Sequence, residues 1–275
     1  MLNLLIVEGN SPEINARLRE LGARLQSELF EALLREAPDV RTETLFAADE
    51  AVLLPPEEKL AAYDGILWTG AALNLPKGEP AALRQVELAR RALRAGAFLY
   101  GSCWGLQVVA VACGGRVIPN PRGREIGIAR DITLTDAGRR HPLLRGRPGR
   151  FDALAVHRDI VAPLPEDTLT VLAGNDLCPI QAAELRLGKG RFWGVQYHPE
   201  YDFLDLAAAF RRYAPALVEE GLFPDLEAVE AEARRYESAA AAGPATGLDT
   251  IPTALADPAF RTLEIHNWLA ALRTP

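Results

Sequence analysis

No apolar run in this chain approaches the ~20 residues that a bilayer-spanning helix needs, so no segment reads as a membrane span. Cysteine is scarce: three in 275 residues, an odd number. That argues against a disulfide framework and for a reducing, cytoplasmic setting. Positive charge is not in excess. Lys and Arg total 30 against 37 Asp and Glu, a net charge of −7, so the chain advertises no nucleic-acid-binding or anionic-membrane surface. A glycine-rich phosphate loop is missing too, Gly188-Lys189-Gly190 being too short to count. The cysteines have no metal-ligand spacing, so no metal and no cofactor is expected. Internal repeats are absent. Met1 to Val7 lacks a basic leader, is too short for a signal peptide, and reads as a first core strand.

What is present is an alternation of strands and helices. Leu4–Val7, Val40–Phe46, Gly65–Trp68 and Phe98–Gly101 read as strands, the second near a sheet edge because Thr and Glu alternate in it. A helix is expected from about Asn15 to Glu36, with Leu18, Leu21, Leu25, Leu29 and Leu33 on one stripe, and another from Pro80 to Arg94. This spacing implies an α/β fold: a three-layer, Rossmann-like sheet of mainly parallel strands with helices on both faces. Ligands bind such sheets at the carboxyl ends of the strands. After Gly114-Gly115 short β runs such as Asp131–Leu134 and Leu169–Leu172 suggest a smaller antiparallel layer, returning to the main sheet at Phe192–Tyr197. Helices over Phe203–Glu220 and Leu226–Ala241 follow. Ala239 to Gly247 reads as a linker, and Thr253–Leu272 as a helical tail that packs back on the domain or serves docking or dimerisation. Residues 1–240 are thus expected to form one domain, and 241–275 a linker with a C-terminal helical extension.

The chemistry concentrates in Gly101-Ser102-Cys103-Trp104-Gly105. A cysteine sits where an apolar strand turns into a helix, with glycines two residues before and after it, the arrangement of a nucleophile elbow. The helix beyond directs free N–H groups and its positive dipole end at the sulfur, which favours the thiolate. A lone cysteine in an apolar run is most often core packing, as Cys113 and Cys178 read here. Cys103 differs because a strand far downstream ends in His198-Pro199-Glu200. A histidine can take the thiol proton, and a carboxylate two residues on in an extended segment points the same way, so it can orient the ring. The plainer alternatives are a core histidine and a Glu200 that caps the next helix. His141, before a proline, reads as loop surface.

Gly101-x-Cys103-x-Gly105-x-Gln107 with Gly194-Val195-Gln196-Tyr197-His198-Pro199-Glu200 resembles the class I, triad-type glutamine amidotransferases, and among them the glutaminase of GMP synthase and its stand-alone relatives. Asp64–Gly70, Arg124–Gly127, His157-Arg158-Asp159 and Ala173–Ile180 extend the resemblance over roughly residues 1 to 215. It implies that Cys103 attacks a glutamine side-chain amide, that His198 protonates the departing ammonia and then activates water, and that Glu200 orients His198. It further implies an oxyanion hole from the backbone N–H groups of Ala71 and Trp104, one such donor being worth ~3 kcal/mol of barrier. Gly70, Gln107, His157 and Asp159 fall on the substrate side.

The chain departs from the family pattern at Leu106, where a histidine is usual, at Trp104 and Ala71, and at Val156–Asp159. These departures leave two acyl donors open: glutamine, hydrolysed to glutamate and ammonia, or a γ-glutamyl peptide or conjugate. A non-catalytic regulatory subunit of the same fold is the third reading, and the intact Cys103, His198 and Glu200 count against it. The partners implied are a small γ-glutamyl substrate and an ammonia-accepting synthetase on a separate polypeptide, with a homodimer as a further expectation.

Overall fold

The fold, seen in a computed structural model, is described for residues 1–20, 22–165, 167–243 and 251–274. Along the chain run β1 (Leu2–Glu8), α1 (Pro12–Glu20), α2 (Gln26–Leu34), β2 (Val40–Phe46), α3 (Glu57–Leu60), β3 (Gly65–Trp68), α4 (Pro80–Arg94), β4 (Phe98–Ser102) and α5 (Trp104–Ala112). There follow β5 (Val117–Pro119), β6 (Glu125–Leu134), α6 (Asp136–Arg140), β7 (Arg150–His157), β8 (Asp159–Val161), β9 (Leu169–Gly174), β10 (Ala182–Leu187) and β11 (Gly190–Val195). The helices α7 (Phe203–Glu219), α8 (Leu226–Ala242), α9 (Pro258–Arg261) and α10 (Leu263–Leu272) come last.

The main sheet has the order β2-β1-β3-β4-β11-β10-β9-β6-β7. Its first half is parallel, from β2 through β1, β3 and β4 to β11. Beyond β11 the remaining strands pair antiparallel. The antiparallel stretch therefore divides in two. β6, β7, β9 and β10 widen the main sheet, while β5 and β8 form a separate two-stranded layer. Helix-covered faces explain why β1, β3 and β4 are apolar on both sides. Leu5 and Val7 enter the core beneath α4 and α5, and Leu4 and Ile6 the core shared with α2 and α10, as a two-residue period requires. β2 lies at the edge, half-exposed, in keeping with its Thr/Glu alternation.

The single helix expected over Asn15–Glu36 is two helices. Gly22, at φ +70°, ends the first: its N–H bonds Arg19 O, and the Ala23 N–H bonds Leu18 O. A left-handed glycine that satisfies the last carbonyls is a helix stop. The second helix opens where the Glu28 carboxylate accepts from the Leu25 N–H at 2.8 Å. Leu18, Leu25 and Leu29 are buried all the same, so the stripe is kept across the break. Leu21 lies outside the described residues.

Of the expected linker, Ala239–Ala242 belong to α8, and residues 244–250 lie outside the described residues. The tail is helical in three pieces, a 3-10 turn at Thr253–Ala256 followed by α9 and α10. Trp268 of α10 is fully buried, with its ring 5.6 Å from Tyr100 and 6.1 Å from Phe98. It lies over Gly65 at the start of β3, where a Cβ would come within 2.7 Å of Trp268 and 2.8 Å of Leu272. Behind it Glu264, fully buried, accepts from Arg147 Nε at 2.6 Å and from the Tyr197 hydroxyl at 2.8 Å.

Candidate active site

β4 ends at Ser102 and α5 begins at Trp104, so Cys103 alone makes the turn. Its backbone lies at φ 48° and ψ −97°, a sparsely populated region that costs a non-glycine residue about 1–3 kcal/mol. The strain is held in place from two sides. The Cys103 N–H donates to Val195 O at 2.8 Å, tying the turn to β11. The turn also presses on β3: a Cβ on Gly105 would come within 2.8 Å of Trp68 Cβ, and one on Gly101 within 3.0 Å of the Gly105 Cα. Only glycine permits that approach. Gln85 of α4 fastens the arrangement, its Oε1 accepting from the indoles of Trp68 at 3.0 Å and Trp104 at 2.9 Å, while its Nε2 donates to Gly9 O at 2.8 Å.

β11 lies beside β4 and delivers His198 just beyond its carboxyl end. The His198 N–H donates to Leu154 O at 2.7 Å. The ring Nδ1 lies 2.7 Å from Glu200 Oε1, which also accepts from Ser102 Oγ at 2.9 Å. Glu200 does not cap α7; Asp202 does, through the N–H groups of Leu204 and Asp205. Burial opposes a charge on His198, but the Glu200 carboxylate and the Cys103 sulfur, acting through charge and hydrogen bonding, outweigh it and push the ring up to about 10. The balance favours the imidazolium form of a ring that stands beside the sulfur. The Tyr201 ring stacks on it at 4.1 Å. The sulfur lies 3.6 Å from Val156 O, and the residue is almost wholly buried. Cys113 and Cys178 are free thiols that burial pushes up to about 11 and about 12.

Gly70-Ala71 follows β3 at the same end of the sheet. Asn10 holds this loop by accepting from the Ala72 N–H at 2.9 Å. The Trp104 N–H opens α5, so no carbonyl within the helix accepts it. Of the expected substrate-side residues, Gln107 and Asp159 meet: Gln107 Nε2 donates to Asp159 O at 2.9 Å, and Asn74 Nδ2 donates to Asp159 Oδ2 at 2.9 Å. The other carboxylate oxygen, Asp159 Oδ1, is buried without a partner, and burial raises this carboxyl above its ordinary range. His157 points elsewhere. Its Nε2 lies 2.8 Å from Glu125 Oε2. His141 is not loop surface: it caps the 3-10 turn at Pro142–Leu144, and its ring packs 4.8 Å from Trp193.

Sequence reading missed four residues around the site. Glu8 is fully buried at the end of β1, where it accepts from the N–H groups of Asn10 at 3.0 Å and Ser27 at 2.8 Å, and burial raises its carboxyl. Asn10 braces the Gly70 loop, Gln26 accepts from the Tyr201 hydroxyl at 3.1 Å, and Ser102 holds Glu200. The one available signal was Glu8-Gly9-Asn10, polar residues closing an apolar strand at the end where such sheets bind ligands. Among the described residues no His, Cys, Asp and Glu cluster suits a metal ion, and no helix is long and apolar enough to cross a membrane.

This end of the sheet thus gathers a strained cysteine, a histidine ring and a carboxylate at the tips of two adjacent parallel strands, a set suited to nucleophilic attack on an acyl group. The chain is 35% identical to a gamma-glutamyl-L-1-hydroxyisopropylamide hydrolase from a Pseudomonas species, over 100% of this chain and 94% of that protein. It is 30% identical to one subunit of the glutamine-hydrolysing GMP synthase of Methanoculleus marisnigri, over 61% of this chain and 80% of that one. Of longer GMP synthases, such as that of Salmonella typhimurium, it spans 25%. The fold is shared with a glutamine amidotransferase from Thermotoga maritima, at a TM-score of 0.62 and 18% identity over 100% of this chain and 99% of that one. Residues 31–204 match the family Glutamine amidotransferase class-I, and with this match and the end-to-end relative the chain belongs to the class-I glutamine amidotransferase family.

Proposed function

We propose that this protein hydrolyses a γ-glutamyl amide of a small organic amine, releasing glutamate and the free amine through a thioester on Cys103. The observation that carries the reading is the convergence on Cys103 of a buried imidazolium held by Glu200 at 2.7 Å. The Cys103 sulfur attacks the γ-carbonyl carbon, and the oxyanion that forms is received by the backbone N–H groups of Ala71 and Trp104. As the C–N bond breaks, the His198 ring gives its proton to the departing nitrogen. The neutral ring then takes a proton from water, which attacks the thioester carbonyl; collapse frees glutamate and restores the Cys103 thiolate beside the imidazolium. Gln107 and Asp159, with Gly70 nearby, form the side of the site that holds the amino-acid end of the substrate, whereas His157 is turned to Glu125.

The choice of an alkylamide over glutamine rests on the similarity to the Pseudomonas hydrolase, which runs from one end of this chain to the other and includes the C-terminal helices. A second reading is glutamine hydrolysis with ammonia passed to a synthetase on a separate polypeptide, favoured by the similarity to the Methanoculleus GMP synthase polypeptide. Parallel assays of glutamate release from glutamine, γ-glutamylethylamide and a γ-glutamyl dipeptide decide between them. The alkylamide reading requires the highest kcat/KM on the amide. Preference for glutamine transfers the assignment to the second reading, and full activity of Cys103→Ala refutes both.

A further inference from the structure

A cavity of about 510 Å³ lies between the α1–α2 connection and α7, within the size range of small-molecule sites. Nothing in the mechanism above uses it. Two of its wall residues also border the catalytic ring. Tyr201 stacks on His198, and its hydroxyl donates to Gln26 Oε1. That Gln26 oxygen and His198 Cε1 lie on the same side of Gly70, 3.2 Å and 2.9 Å from where a Cβ on Gly70 would stand. His198 is fixed by Glu200 through Nδ1, so the proton for the leaving group comes from Nε2, next to that same Cε1. The ring edge that carries the proton thus stands beside Gln26 and Tyr201, two residues of the cavity wall.

We infer that this cavity receives the amine portion of the substrate and selects an uncharged alkyl or hydroxyalkyl amine. The inference rests on the γ-glutamyl amide hydrolase reading and adds where the amine sits and of what class it is. Beyond Tyr201 the wall carries the apolar side chains of Leu18, Leu29, Leu204 and Ala208, and the Gln26 amide offers an uncharged polar contact. Most charges on the wall are engaged: Arg24 bonds Asp202 at 3.0 Å and Asp205 at 2.7 Å, and Arg211 bonds Glu230 of α8 at 2.8 Å. Arg212 also lines the wall, so a diamine carrying a second positive charge would meet guanidinium groups.

The test compares kcat/KM for γ-glutamylethylamide and for glutamine, whose leaving group is ammonia and does not reach the cavity. Ala208→Phe fills the space and should lower the amide-to-glutamine ratio about tenfold or more, the scale on which a filled apolar pocket rejects extra methylene groups. Leu204→Ala, at an exposed position, widens it and should shift preference toward bulkier γ-glutamyl alkylamides. Ratios unchanged in both variants, with the wild-type protein active on amides, overturn this inference alone. Preference for a γ-glutamyl dipeptide or a γ-glutamyl diamine overturns the substrate class. A wild-type protein inactive on glutamine and on every γ-glutamyl amide overturns the hydrolase reading, and this inference with it.

Discussion

Two buried histidine–carboxylate pairs stand at this end of the sheet with nearly the same geometry, His198 with Glu200 at 2.7 Å and His157 with Glu125 at 2.8 Å. Their surroundings make them different devices. Glu200 is shared with one hydroxyl, that of Ser102, and the free side of its histidine faces a sulfur. Glu125 is saturated: besides His157 it accepts from Asn175 at 2.7 Å and Gln181 at 2.6 Å. Burial works against ionisation of Glu125, but those three donors prevail and hold its carboxyl below the usual range. The Nδ1 of His157 is buried without a partner. The first pair is open on the side of Cys103, whereas the second is a strut joining β6 and β7 to the turn after β9. An imidazole–carboxylate pair is made reactive by what its second ring nitrogen faces.

Several substitutions test that contrast. Cys103→Ala, which removes the group the first pair serves, is expected to lower turnover by about 10⁴-fold or more while the protein keeps its fold; glutamate release and circular dichroism measure the two outcomes. His198→Ala should lose about as much. Glu200→Gln should cost about 10²–10⁴-fold in kcat, less than His198→Ala.

The same substitution has a pH signature. The folded His198 titrates near 10, above its ordinary 6.5. Its contribution to stability is therefore complete below about pH 6.5 and is lost as pH rises through about 10, and in the proposed mechanism the acid for the leaving amine disappears over the same rise. Removing the Glu200 charge should move the alkaline fall in kcat to lower pH. A profile identical to wild type would separate Glu200 from the ring's titration.

Breaking the strut should show up in stability. Glu125→Gln is expected to cost about 3 kcal/mol in urea unfolding with kcat changed less than about tenfold, on the scale of an indirect effect. A collapse of kcat with unchanged unfolding would place His157 in substrate binding after all. The smallest effect is expected from Ser102→Ala, which removes one of two donors on Glu200 Oε1 and should lower kcat about fivefold, the worth of one hydrogen bond of about 1 kcal/mol.

The parallel half of the molecule was legible in the sequence because its signals are local. The bounds of α4 and β3 are those that periodicity and flanking turns predict, and the glycines at positions 101 and 105 announce the elbow before any strand is placed. The break between α1 and α2 was hidden because the leucine stripe continues through it while Gly22 turns the backbone. The outer strands were recognised as antiparallel, but composition does not tell whether such strands add to an existing sheet edge or build a second layer. Gln26 and Tyr201 carried no local mark. They come together only because the strand order sets β1 beside β3 and β3 beside β4, next to β11, so side chains far apart in the chain share one end of the sheet. His157 was legible as a candidate, but not its place among the three partners of Glu125, which come from β7 and from the turn between β9 and β10.

The slot at Gly65 has a consequence for how the molecule is made. Trp268 fills it and contacts aromatic side chains of β4, so this part of the innermost strands, synthesised early, stays uncovered until α10, far downstream in the chain, has left the ribosome. Chains of this size fold in stages during synthesis, and exposed apolar surface invites aggregation meanwhile. Translation that stalls short of α10 would leave a nascent sheet with a vacant aromatic berth, a form that chaperones would have to shield.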